Sequence, residues 1–472
     1  MGNKMPLAPP PVRRLWGLLN DTSPTFLVGG AARDSVIGRE PKDYDLATGL
    51  KPTAIADVAA KAGLETIWTG VLFGTVTVLT PVPVEVTTFR RDGRYSDYRR
   101  PDVVSFAASL EEDLSRRDFT MNAIAISYDG QVVDRFGGAA DIAAHMIRTV
   151  GNAEERFKED PLRMLRAVRL AAVLGDEWEI ADQTGAAIER LRHMTAFVSR
   201  ERVSSELTKA LDAPAAKAVG LLDRLGLLVI AIPEWQGVKG FDQKNPHHPH
   251  DVGTHSIMVA QGMHGTVGRL AGLLHDIAKP ACMFLDQDGV GRFFGHAEVG
   301  AIMAEDILER LRFPSETIEE VTALVKHHMF PFEQAGAAGY RRLIRGIGPD
   351  LMATLVELHV SDVRAVREDL KGWQFPEEVA ALLASPGLAE EALAPLAING
   401  KDVMSALSIG PGPMVGQALR ECRDAVDEEP GANTKETLLK LIRPLRASEG
   451  EWLGPESAEQ DGPSKPARRL GL

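Results

Sequence analysis

Two kinds of hydrophobic pattern divide the chain. Residues 24 to about 150 alternate short apolar runs of strand type with short helical segments, which predicts an α/β fold. From Asp160 onward, apolar positions recur at three- and four-residue spacing, which predicts helices. Loop composition returns near 235–250 and in the run SPGLAEEALAP, and the last predicted helices end near Leu445. The pattern therefore predicts an α/β head followed by an all-α remainder.

Length and composition narrow the class of protein. A chain of 472 residues exceeds one ordinary core and favours two to four domains, and 44% hydrophobic with 25% charged residues is typical of soluble globular proteins. The uncharged run from Thr66 to Val84 contains Gly, Pro and many β-branched residues, which predicts two short strands and no membrane span. No signal-peptide pattern opens the chain. Cys282 and Cys422 lie far apart, which favours a reducing cytoplasm over a disulfide framework.

The formal net charge of −13 disfavours a protein that coats nucleic acid. Binding of RNA needs only a local basic surface, because phosphate contacts act over about 8–10 Å. The run FRRDGRYSDYRR (89–100) supplies such a surface, with further arginines at 116, 117, 163 and 166. Taken alone, an arginine-rich loop is more often a solvated face. An acidic protein with a basic cleft favours a transient substrate over a permanent RNA partner.

The segment 27–48, LVGGAARDSVIGREPKDYDLAT, carries the strongest chemical signal. Gly29 and Gly30 close an apolar strand and allow backbone N–H groups to approach a polyphosphate. Asp43 and Asp45 follow with a spacing that projects both carboxylates from one face of a second strand. Two convergent carboxylates suit Mg²⁺ with substrate phosphates. The segment predicts metal-assisted nucleotidyl transfer.

A second pair of residues predicts selection of the nucleobase. If the EDPLR block (159–163) is helical, Asp160 and Arg163 lie on one face. Asp accepts from an exocyclic amino group and Arg donates to a ring nitrogen, which suits cytosine and adenine. Uracil and guanine would leave buried groups mispaired, at roughly 1–3 kcal/mol each. The alternative is an ordinary helix start, with Asp as N-cap and Pro at N1.

Over most of residues 24–445, the chain contains sequence blocks that resemble, in the same order, those of class II tRNA nucleotidyltransferases and bacterial poly(A) polymerases. The resemblance is carried by the GG…RD…DxD…LAT segment, with Ala32 as one small departure, and by FGTVTV, EVTTFR, RRPDVVSF, EEDLSRRDFTMNAIA, DRFGGAADI, RFKEDPLRMLRA and INGKDVMSALSIGPGPMVGQAL. It implies that Glu85 is a third catalytic carboxylate. Glu85 sits in a strand of alternating pattern, PVEVTTF, with Val84 and Val86 pointing to the other face. A lone Glu in an edge strand is otherwise usually solvent-facing. The implied nucleotide-binding residues are Gly29, Gly30, Arg33, Arg116, Arg117, Asp118, Asn122, Asp160, Arg163 and Arg166. Among them, the two arginines of RRD would face the triphosphate, Asp118 would accept from the ribose 2′-hydroxyl, and Arg166 would support the base-selecting pair. An Arg-Arg-Asp at a helix start is otherwise an ordinary cap.

Ten of the twelve histidines fall between residues 247 and 359. Their order, ending with an aspartate, resembles the HD metal-dependent phosphohydrolases with a two-metal site. The ligands that this resemblance implies are His255, His275, Asp276, His296, His327, His328 and Asp362, with His359 as a competing ligand or a neighbour. Imidazole with carboxylate suits a divalent transition metal that activates water. An intact ligand set can also be retained for stability alone.

These observations predict an α/β plus all-α chain with a polymerase-β-like nucleotidyltransferase head, a helical neck, an HD helical domain and C-terminal helices. In chain order, the expected segments are a leader with the first helix (1–23), the head (24–150), a helical neck and body for nucleobase selection and RNA binding (151–238), the HD domain (239–385), a C-terminal tRNA-binding region (386–447) and a disordered tail (448–472).

The resemblance favours a CCA-adding tRNA nucleotidyltransferase that uses CTP, ATP and Mg²⁺ and releases pyrophosphate. Its expected partner is a tRNA substrate, with no membrane and no stable protein partner implied, and its expected location is the cytoplasm. A poly(A) polymerase of the same family is one alternative. Tyr98, where this loop more often has Gly, leaves addition of only A or only C open. A second alternative makes the HD site the working enzyme and the head an RNA-binding module.

Overall fold

The computed structural model describes residues 8–68, 70–93, 98, 104–106, 109–246, 248–366 and 375–444. The start of the leader, the tail from residue 448, and residues 94–97 and 99–100 of the basic run 89–100 lie outside the described residues. The chain divides into two compact units, residues 1–329 with 354–373, and residues 330–353 with 374–472. Within the described ranges, no helix is long and apolar enough to cross a membrane.

The head is built on a seven-stranded mixed sheet. Its elements are α1 (Pro10–Thr22), β1 (Thr25–Val28), α2 (Gly29–Ile37), β2 (Tyr44–Thr48), α3 (Pro52–Lys61), β3 (Glu65–Ile67), β4 (Thr75–Leu79), β5 (Val84–Thr88), β6 (Arg90–Asp92), β7 (Val104–Phe106), α4 (Leu110–Ser115), β8 (Ile124–Ser127), β9 (Val132–Asp134), α5 (Gly138–Ala143) and β10 (Met146–Ile147). The strand order is β3-β4-β5-β2-β1-β8-β9. The uncharged run thus forms two strands, β3 and β4, as predicted.

The main core of the head lies on one face of this sheet. Alternate residues of β2 and β5 point into it, and it also includes Trp16 of α1 and Leu27 of β1. Leu46, Val84 and Val86 are fully buried, whereas Glu85 is exposed. Two-residue alternation therefore buries the valines and leaves the carboxylate on the opposite face, as the pattern PVEVTTF predicts.

The segment after the head is helical. It contains α6 (Ala153–Glu159), α7 (Leu162–Leu174), β11 (Glu179–Ile180), α8 (Asp182–Leu191), α9 (Arg200–Leu211), α10 (Ala218–Arg224), α11 (Leu228–Ala231) and α12 (Trp235–Val238). Helix α7 is apolar around most of its surface, and its buried residues pack against α9. An ion pair of 2.6 Å from Arg169 of α7 to Glu206 of α9 joins the two helices. This pair of helices forms the neck.

The histidine-rich segment is also mainly helical. It comprises α13 (Val252–Gly262), α14 (Gly265–Leu274), α15 (Lys279–Cys282), β12 (Phe284–Leu285), β13 (Gly291–Arg292), α16 (His296–Arg310) and α17 (Ser315–His327). The buried guanidinium of Arg269 in α14 donates to the carbonyls of Leu211 and Ala213 at 2.7 and 2.6 Å. These bonds fix α14 to the end of the neck helix α9.

Seven further helices follow within the described residues. They are α18 (Ala337–Ile347), α19 (Pro349–Val366), α20 (Glu377–Leu383), α21 (Pro386–Leu393), α22 (Gly400–Leu407), α23 (Pro413–Glu428) and α24 (Lys435–Ile442). Helix α19 contributes its C-terminal part to the first unit. In the second unit, α22, α23 and α24 enclose a separate apolar core around Val403, Cys422 and Leu438. The predicted sequence of an α/β head followed by helices is confirmed.

Candidate functional sites

Parallel pairing of β2 with β5 brings two carboxylates side by side. Asp45 lies opposite Glu85 in the register of these strands. Asp43 immediately precedes β2, which begins at Tyr44, one residue later than the sequence pattern implies. Asp43 and Glu85 are exposed and Asp45 is partly buried. Strand β5 lies inside the sheet between β4 and β2, so Glu85 does not belong to an edge strand.

The surroundings of Asp45 disfavour the ionised form of its carboxyl group. Burial raises its pKa, the charge of Glu85 raises it further, and Asp43 adds a smaller increase. The guanidinium of Arg117 opposes these effects, and the net pKa is about 6. Carboxylates crowded in this way repel one another, and a bound cation would relieve the repulsion. The arrangement therefore fits a divalent metal ion.

The start of α2 adjoins these carboxylates. Strand β1 pairs with β2 so that Val28, the residue before α2, lies opposite Asp45. Gly29 has φ +68°, and a Cβ there would lie 3.1 Å from Nη1 of Arg117 and 3.3 Å from Oδ2 of Asp45. Gly29 thus keeps open a space between a cation and a carboxylate. At the following position, a Cβ on Gly30 would be 3.6 Å from the Arg33 guanidinium.

Arg116 and Arg117 are held by one buried carboxylate. Asp113 accepts from Nε and Nη2 of Arg116 at 3.0 and 2.7 Å, and its other oxygen accepts from Arg117 at 3.2 Å. Burial opposes ionisation of Asp113, but the two guanidinium charges lower its pKa overall. Helix α4 ends at Ser115 and Arg116 is its C-cap, so the Arg-Arg-Asp run follows a helix and does not start one.

Asp118 connects the head to the neck. Its Oδ1 accepts from the Phe119 amide at 2.9 Å and from Asn122 at 3.1 Å, and its Oδ2 accepts from Nε and Nη2 of Arg166 at 2.9 and 2.6 Å. Burial opposes ionisation, yet Arg166 and Asn122 hold the pKa of Asp118 well below its usual range. Asn122 in turn accepts from Arg33 of α2 at 3.0 Å. These four donors fill the acceptor capacity of the Asp118 carboxylate.

The EDPLR block is not helical at Asp160, so the condition for Asp160 and Arg163 to share one helical face is not met. Asp160 follows α6 with φ −143° and ψ 99°, and α7 begins at Leu162. The α region is disfavoured before a proline, and Pro161 breaks the helix there. The side chain of Asp160 nevertheless accepts from the Leu162 amide at 3.1 Å, so it acts as a local cap as well.

Asp160 and Arg163 are positioned by different partners. Asp160 accepts from Arg202 of α9 at 2.7 Å. Arg163, which is largely buried, donates to Glu159 at 2.6 Å and to the carbonyls of Arg156 and Arg116 at 3.2 and 3.1 Å. After these bonds and the cap to Leu162, the Asp160 carboxylate still has two acceptor positions. The Arg163 guanidinium still has two N–H donors.

In the helical domain, imidazole rings converge on a buried carboxylate. Nδ1 of His275, His296 and His328 lies 2.9, 2.7 and 2.7 Å from the carbonyls of Gly272, Phe293 and Val325. In each case the Nδ1–H can donate to the carbonyl, which leaves the lone pair of Nε2 directed into the cluster. This is the usual orientation of metal-bound histidine.

Two groups of ligand atoms share Asp276. One contains His255, His275 and Asp276, and the other contains Asp276, His296 and His328. The Nε2 atoms lie 3.3 Å apart in the first pair of rings and 3.1 Å apart in the second. Asp362 of α19 lies 2.9 Å from Nε2 of His255. Close imidazole nitrogens around a shared carboxylate fit a centre that holds divalent metal ions.

His327 does not join either group of ligand atoms in the described chain. It ends α17, whereas His328 is the C-cap of that helix, and adjacent helical side chains point about 100° apart. The prediction of both residues as ligands therefore finds support in the geometry only for His328. Lys279 adds a positive charge at the cluster, 2.7 Å from Oδ2 of Asp276. Burial opposes ionisation of Asp276, but His275 and Lys279 hold its pKa well below the usual value.

Sequence reasoning missed His248 and Lys279. The ring of His248 meets that of His255 edge to face at 6.1 Å, and its buried Nδ1 has no hydrogen-bond partner among the described residues. Burial and, to a smaller extent, the charge of Lys279 lower the pKa of His248 to about 4. Lys279 follows His275-Asp276 closely in sequence and could have been recognised by that proximity. His248 lies in the loop NPHHPH, where neither periodicity nor spacing distinguishes one histidine from another.

Comparison with known families assigns four segments of the chain. Residues 25–148 match the "Poly A polymerase head domain", and residues 178–237 match the "Probable RNA and SrmB- binding site of polymerase A". Residues 252–363 match the "HD domain", and residues 388–442 match "tRNA nucleotidyltransferase domain 2". Head and HD domains of these families imply dependence on divalent metal ions.

Individual relatives agree with this assignment. A CCA-adding enzyme of Geobacillus stearothermophilus is 45% identical over 224 residues, which are 46% of this chain and 54% of the relative. The chain thus spans about half the length of the curated relatives it matches. The crystal structure of the Bacillus stearothermophilus CCA-adding enzyme in complex with CTP is 29% identical, with a TM-score of 0.69 over 94% of this chain and 100% of that one. The Thermotoga maritima CCA-adding enzyme complexed with tRNA has the same fold, with 17% identity and a TM-score of 0.59 over 94% of this chain and 98% of that one.

Proposed function

We propose that the chain belongs to the family of class II tRNA nucleotidyltransferases and bacterial poly(A) polymerases, and that it adds or repairs the 3′-terminal CCA of tRNA from CTP and ATP. The observation that carries this proposal is the pairing of Asp45 with Glu85, with Asp43 adjacent, beside the open backbone at Gly29. The CTP in the related crystal structure and the identity of the curated relatives support cytidine and adenosine triphosphates as substrates.

The reaction joins the 3′-oxygen of the RNA to the α-phosphorus of the nucleotide, and the bond to the bridging oxygen breaks to release pyrophosphate. The start of α2 and the Arg117 guanidinium, which borders Gly29, supply donors for the triphosphate. Asp43, Asp45 and Glu85 would hold divalent metal, Mg²⁺ in this proposal, which would lower the pKa of the attacking hydroxyl and neutralise charge on the phosphates. Arg116 is kept near this site by its bonds to Asp113.

Asp160 and Arg163 select the base in this proposal. Their spare acceptor and donor positions allow Asp160 to accept from the amino group of cytosine or adenine and Arg163 to donate to the adjacent ring nitrogen. Arg202 and Glu159 fix the two side chains, which reduces the entropy lost on binding. Asp118 has its acceptor positions filled, so contact with the ribose 2′-hydroxyl requires exchange of one protein donor.

The histidine cluster supports a second activity, hydrolysis of a phosphate ester. Water attacks phosphorus, the bond from phosphorus to the ester oxygen breaks, and the leaving alcohol takes a proton. His255, His275, Asp276, His296, His328 and Asp362 would hold divalent transition metal, which would activate water and polarise the phosphate. Lys279 is placed to contact a phosphate oxygen. The observation that favours this function is the common orientation of the three Nδ1 atoms toward backbone carbonyls.

The finer assignments remain predictions. These are the functional boundaries at residues 150, 238 and 385, the tRNA-binding role of residues 386–447, and the cytoplasmic location. The matched segments 178–237 and 388–442 support RNA binding by the neck and by the C-terminal helices.

Incubation of the protein and Mg²⁺ with two RNAs tests the main proposal. One is a tRNA lacking its 3′ CCA and the other is an unrelated oligonucleotide, with CTP and ATP supplied singly and together. We expect three added nucleotides on the tRNA alone, only when both triphosphates are present. An ATP-dependent ladder on both RNAs would instead identify a poly(A) polymerase.

Two variants control this assay. Asp43→Ala/Asp45→Ala should abolish extension, because the metal ligands are removed. Asp57→Ala, which changes an exposed carboxylate of α3, should extend tRNA at the rate of the unaltered chain. Extension by the double variant would contradict the assignment of the carboxylates.

A further inference from the structure

Two exposed phenylalanine rings lie beside the histidine cluster. Phe294 is 78% exposed and Phe284 is 46% exposed, and their ring centroids are 5.5 Å apart with an interplanar angle of 31°. Phe284 begins β12, and Phe294 follows β13 in the hairpin that leads directly into α16. The first residue of α16 is the cluster histidine His296. We call this feature the Phe284–Phe294 pair.

Short-range contacts attach the hairpin to the cluster. The carbonyl of Phe293, the residue before Phe294, lies 2.7 Å from Nδ1 of His296. Lys279 lies 5.4 Å from the centroid of the Phe293 ring and 2.7 Å from Asp276. Both contacts run through Phe293, which therefore links the adjacent Phe294 to His296 and Lys279 of the cluster.

Glycines fix the direction of the two rings. A Cβ on Gly291 would lie 2.1 Å from the carbonyl oxygen of Gln243, so only glycine allows the hairpin to pack there. Gly295 has φ +75° and turns the chain between Phe294, which is exposed, and His296, which is buried. The backbone thus directs the aromatic ring outward while it directs the imidazole into the cluster.

Exposed aromatic rings next to a phosphate-ester site suit a nucleobase. Large apolar side chains are usually buried, and an exposed pair marks a binding surface. Flat aromatic rings bind bases by stacking, whereas the Lys279 ammonium, 2.7 Å from Asp276, offers a positive charge to the phosphate end of the same ligand. We propose that the Phe284–Phe294 pair binds the unpaired base of a nucleotide phosphate ester whose phosphate lies on the histidine cluster. This inference rests on the hydrolase function proposed above and names its substrate class.

Fluorescence of 2-aminopurine tests the stacking directly. The ligands are the 3′-monophosphate of 2-aminopurine riboside and an RNA ending in that nucleotide, whose 3′-phosphate blocks extension by the head. With full-length protein and Mn²⁺, and with fluorescence read on rapid mixing before the ester is hydrolysed, stacking should quench the fluorescence, and Phe294→Ala should raise Kd about tenfold to a hundredfold. Phe294→Tyr should restore binding, because the aromatic face is retained. Tighter binding of the RNA or of the mononucleotide identifies the source of the base.

Leu285→Ala is the matched control, because Leu285 is a neighbouring exposed apolar residue of β12 without a ring. It should leave Kd unchanged. Equal Kd values for the unaltered chain and Phe294→Ala would overturn the proposal. A dimer that Phe294→Ala converts to a monomer, with unchanged quenching, would instead assign the pair to contact with a protein.

Phosphate release separates this inference from the hydrolase function. Phe294→Ala should raise KM for adenosine 3′-monophosphate and 5′-monophosphate about tenfold or more, with little effect on ribose 5-phosphate, which has no base. An equal loss on ribose 5-phosphate would overturn the role in base binding. If no ester is hydrolysed while the Phe294-dependent quenching persists, the hydrolase proposal is wrong and the base-binding site stands.

Discussion

At Asp45, burial and two neighbouring carboxylates raise the pKa to about 6, and Arg117 opposes this only in part. The folded chain without metal therefore binds a proton at this residue more tightly than the unfolded chain does. Between about pH 4 and pH 6, the stability of the metal-free chain falls as pH rises, and the full penalty is present above pH 6. The same repulsion favours binding of a divalent cation. The feature that would bind metal at Asp45 therefore also lowers the stability of the metal-free chain.

The variant Asp45→Asn should stabilise the metal-free chain while it abolishes nucleotidyl transfer. We expect a gain of about 1–3 kcal/mol in the free energy of unfolding at pH 7.5 that vanishes near pH 4, because the amide has no charge to bury. Urea unfolding in the presence of a chelator measures it at both pH values. Asp57→Asn, at an exposed site of α3, should show no such gain. A loss of stability on Asp45→Asn would contradict the inference that burial and carboxylate repulsion at Asp45 destabilise the metal-free chain.

At the scale of elements, the site depends on where α2 begins and where α6 stops. Gly29 places the first turn of α2 against Asp45 and Arg117 with a positive φ. The break between α6 and α7 frees Asp160 from the helical hydrogen-bond pattern and lets Arg202 of α9 hold it. Both features are backbone conformations that particular residues permit, so substitutions there separate backbone effects from side-chain chemistry.

The variant Gly29→Ala should lower kcat/KM for nucleotide addition by about tenfold to a hundredfold. Its methyl group would occupy the space between Arg117 and Asp45, 3.1 and 3.3 Å from the nearest atoms. Gly38→Ala is the matched control, because Gly38 also has a positive φ, +86°, but has nothing within 4 Å of its Cβ position. Both variants should lose about 1 kcal/mol of stability from the left-handed backbone. Equal kcat/KM values for Gly29→Ala and Gly38→Ala would exclude a steric effect of the methyl group at residue 29.

The variant Asp160→Ala should narrow the discrimination among nucleotides. We expect kcat/KM for CTP and ATP to fall about tenfold to a hundredfold, with a smaller change for UTP and GTP, because only the first two donate an amino proton to this carboxylate. Single-nucleotide addition with each triphosphate measures the ratio. Glu155→Ala, in the exposed first turn of α6, should leave all four rates unchanged. Equal losses for all four triphosphates would indicate a structural role only.

The sequence predicted helices, strands and charged site residues correctly where the pattern involved neighbouring residues. The alternation in PVEVTTF identified the face of Glu85, but the parallel pairing of β2 with β5 joins strands that are distant in sequence, and no local pattern encodes it. Two local signals were available and unused. A residue before proline avoids the helical region, which places Asp160 outside a helix, and adjacent residues such as His327 and His328 cannot face one point from a helix.

At the scale of the molecule, the two proposed active sites lie in one compact unit that contains the head, the neck and the histidine cluster. The carboxylates of the head and the imidazoles of the HD domain use different elements and different ligand types. Oxygen ligands favour magnesium, whereas imidazole favours transition metals. The two sites should therefore lose activity independently.

Removal of one ligand set should leave the other reaction intact. Asp276→Asn should abolish phosphate-ester hydrolysis and keep CCA addition, whereas Asp43→Ala/Asp45→Ala should show the reverse. With Mn²⁺ at about 100 times its Kd, the unaltered chain should gain about 2–3 kcal/mol of stability over the chelated protein, and Asp276→Asn should lose most of this gain. Thermal unfolding measures the difference, with His193→Ala, an exposed imidazole of the neck, as control. Loss of both activities in either variant would contradict two separate centres.

The parallel pairing of β2 with β5 also makes the head tolerant of inserted sequence. The register of Asp45 and Glu85 depends on hydrogen bonds between two strands and not on the length of chain that connects them. Gly63, in the turn between α3 and β3, has φ +75° and open space at its Cβ position. A short epitope or fluorophore-binding peptide inserted after Gly63 would lengthen the connection without shifting either carboxylate. That turn is therefore a place to attach a reporter without displacing the paired carboxylates.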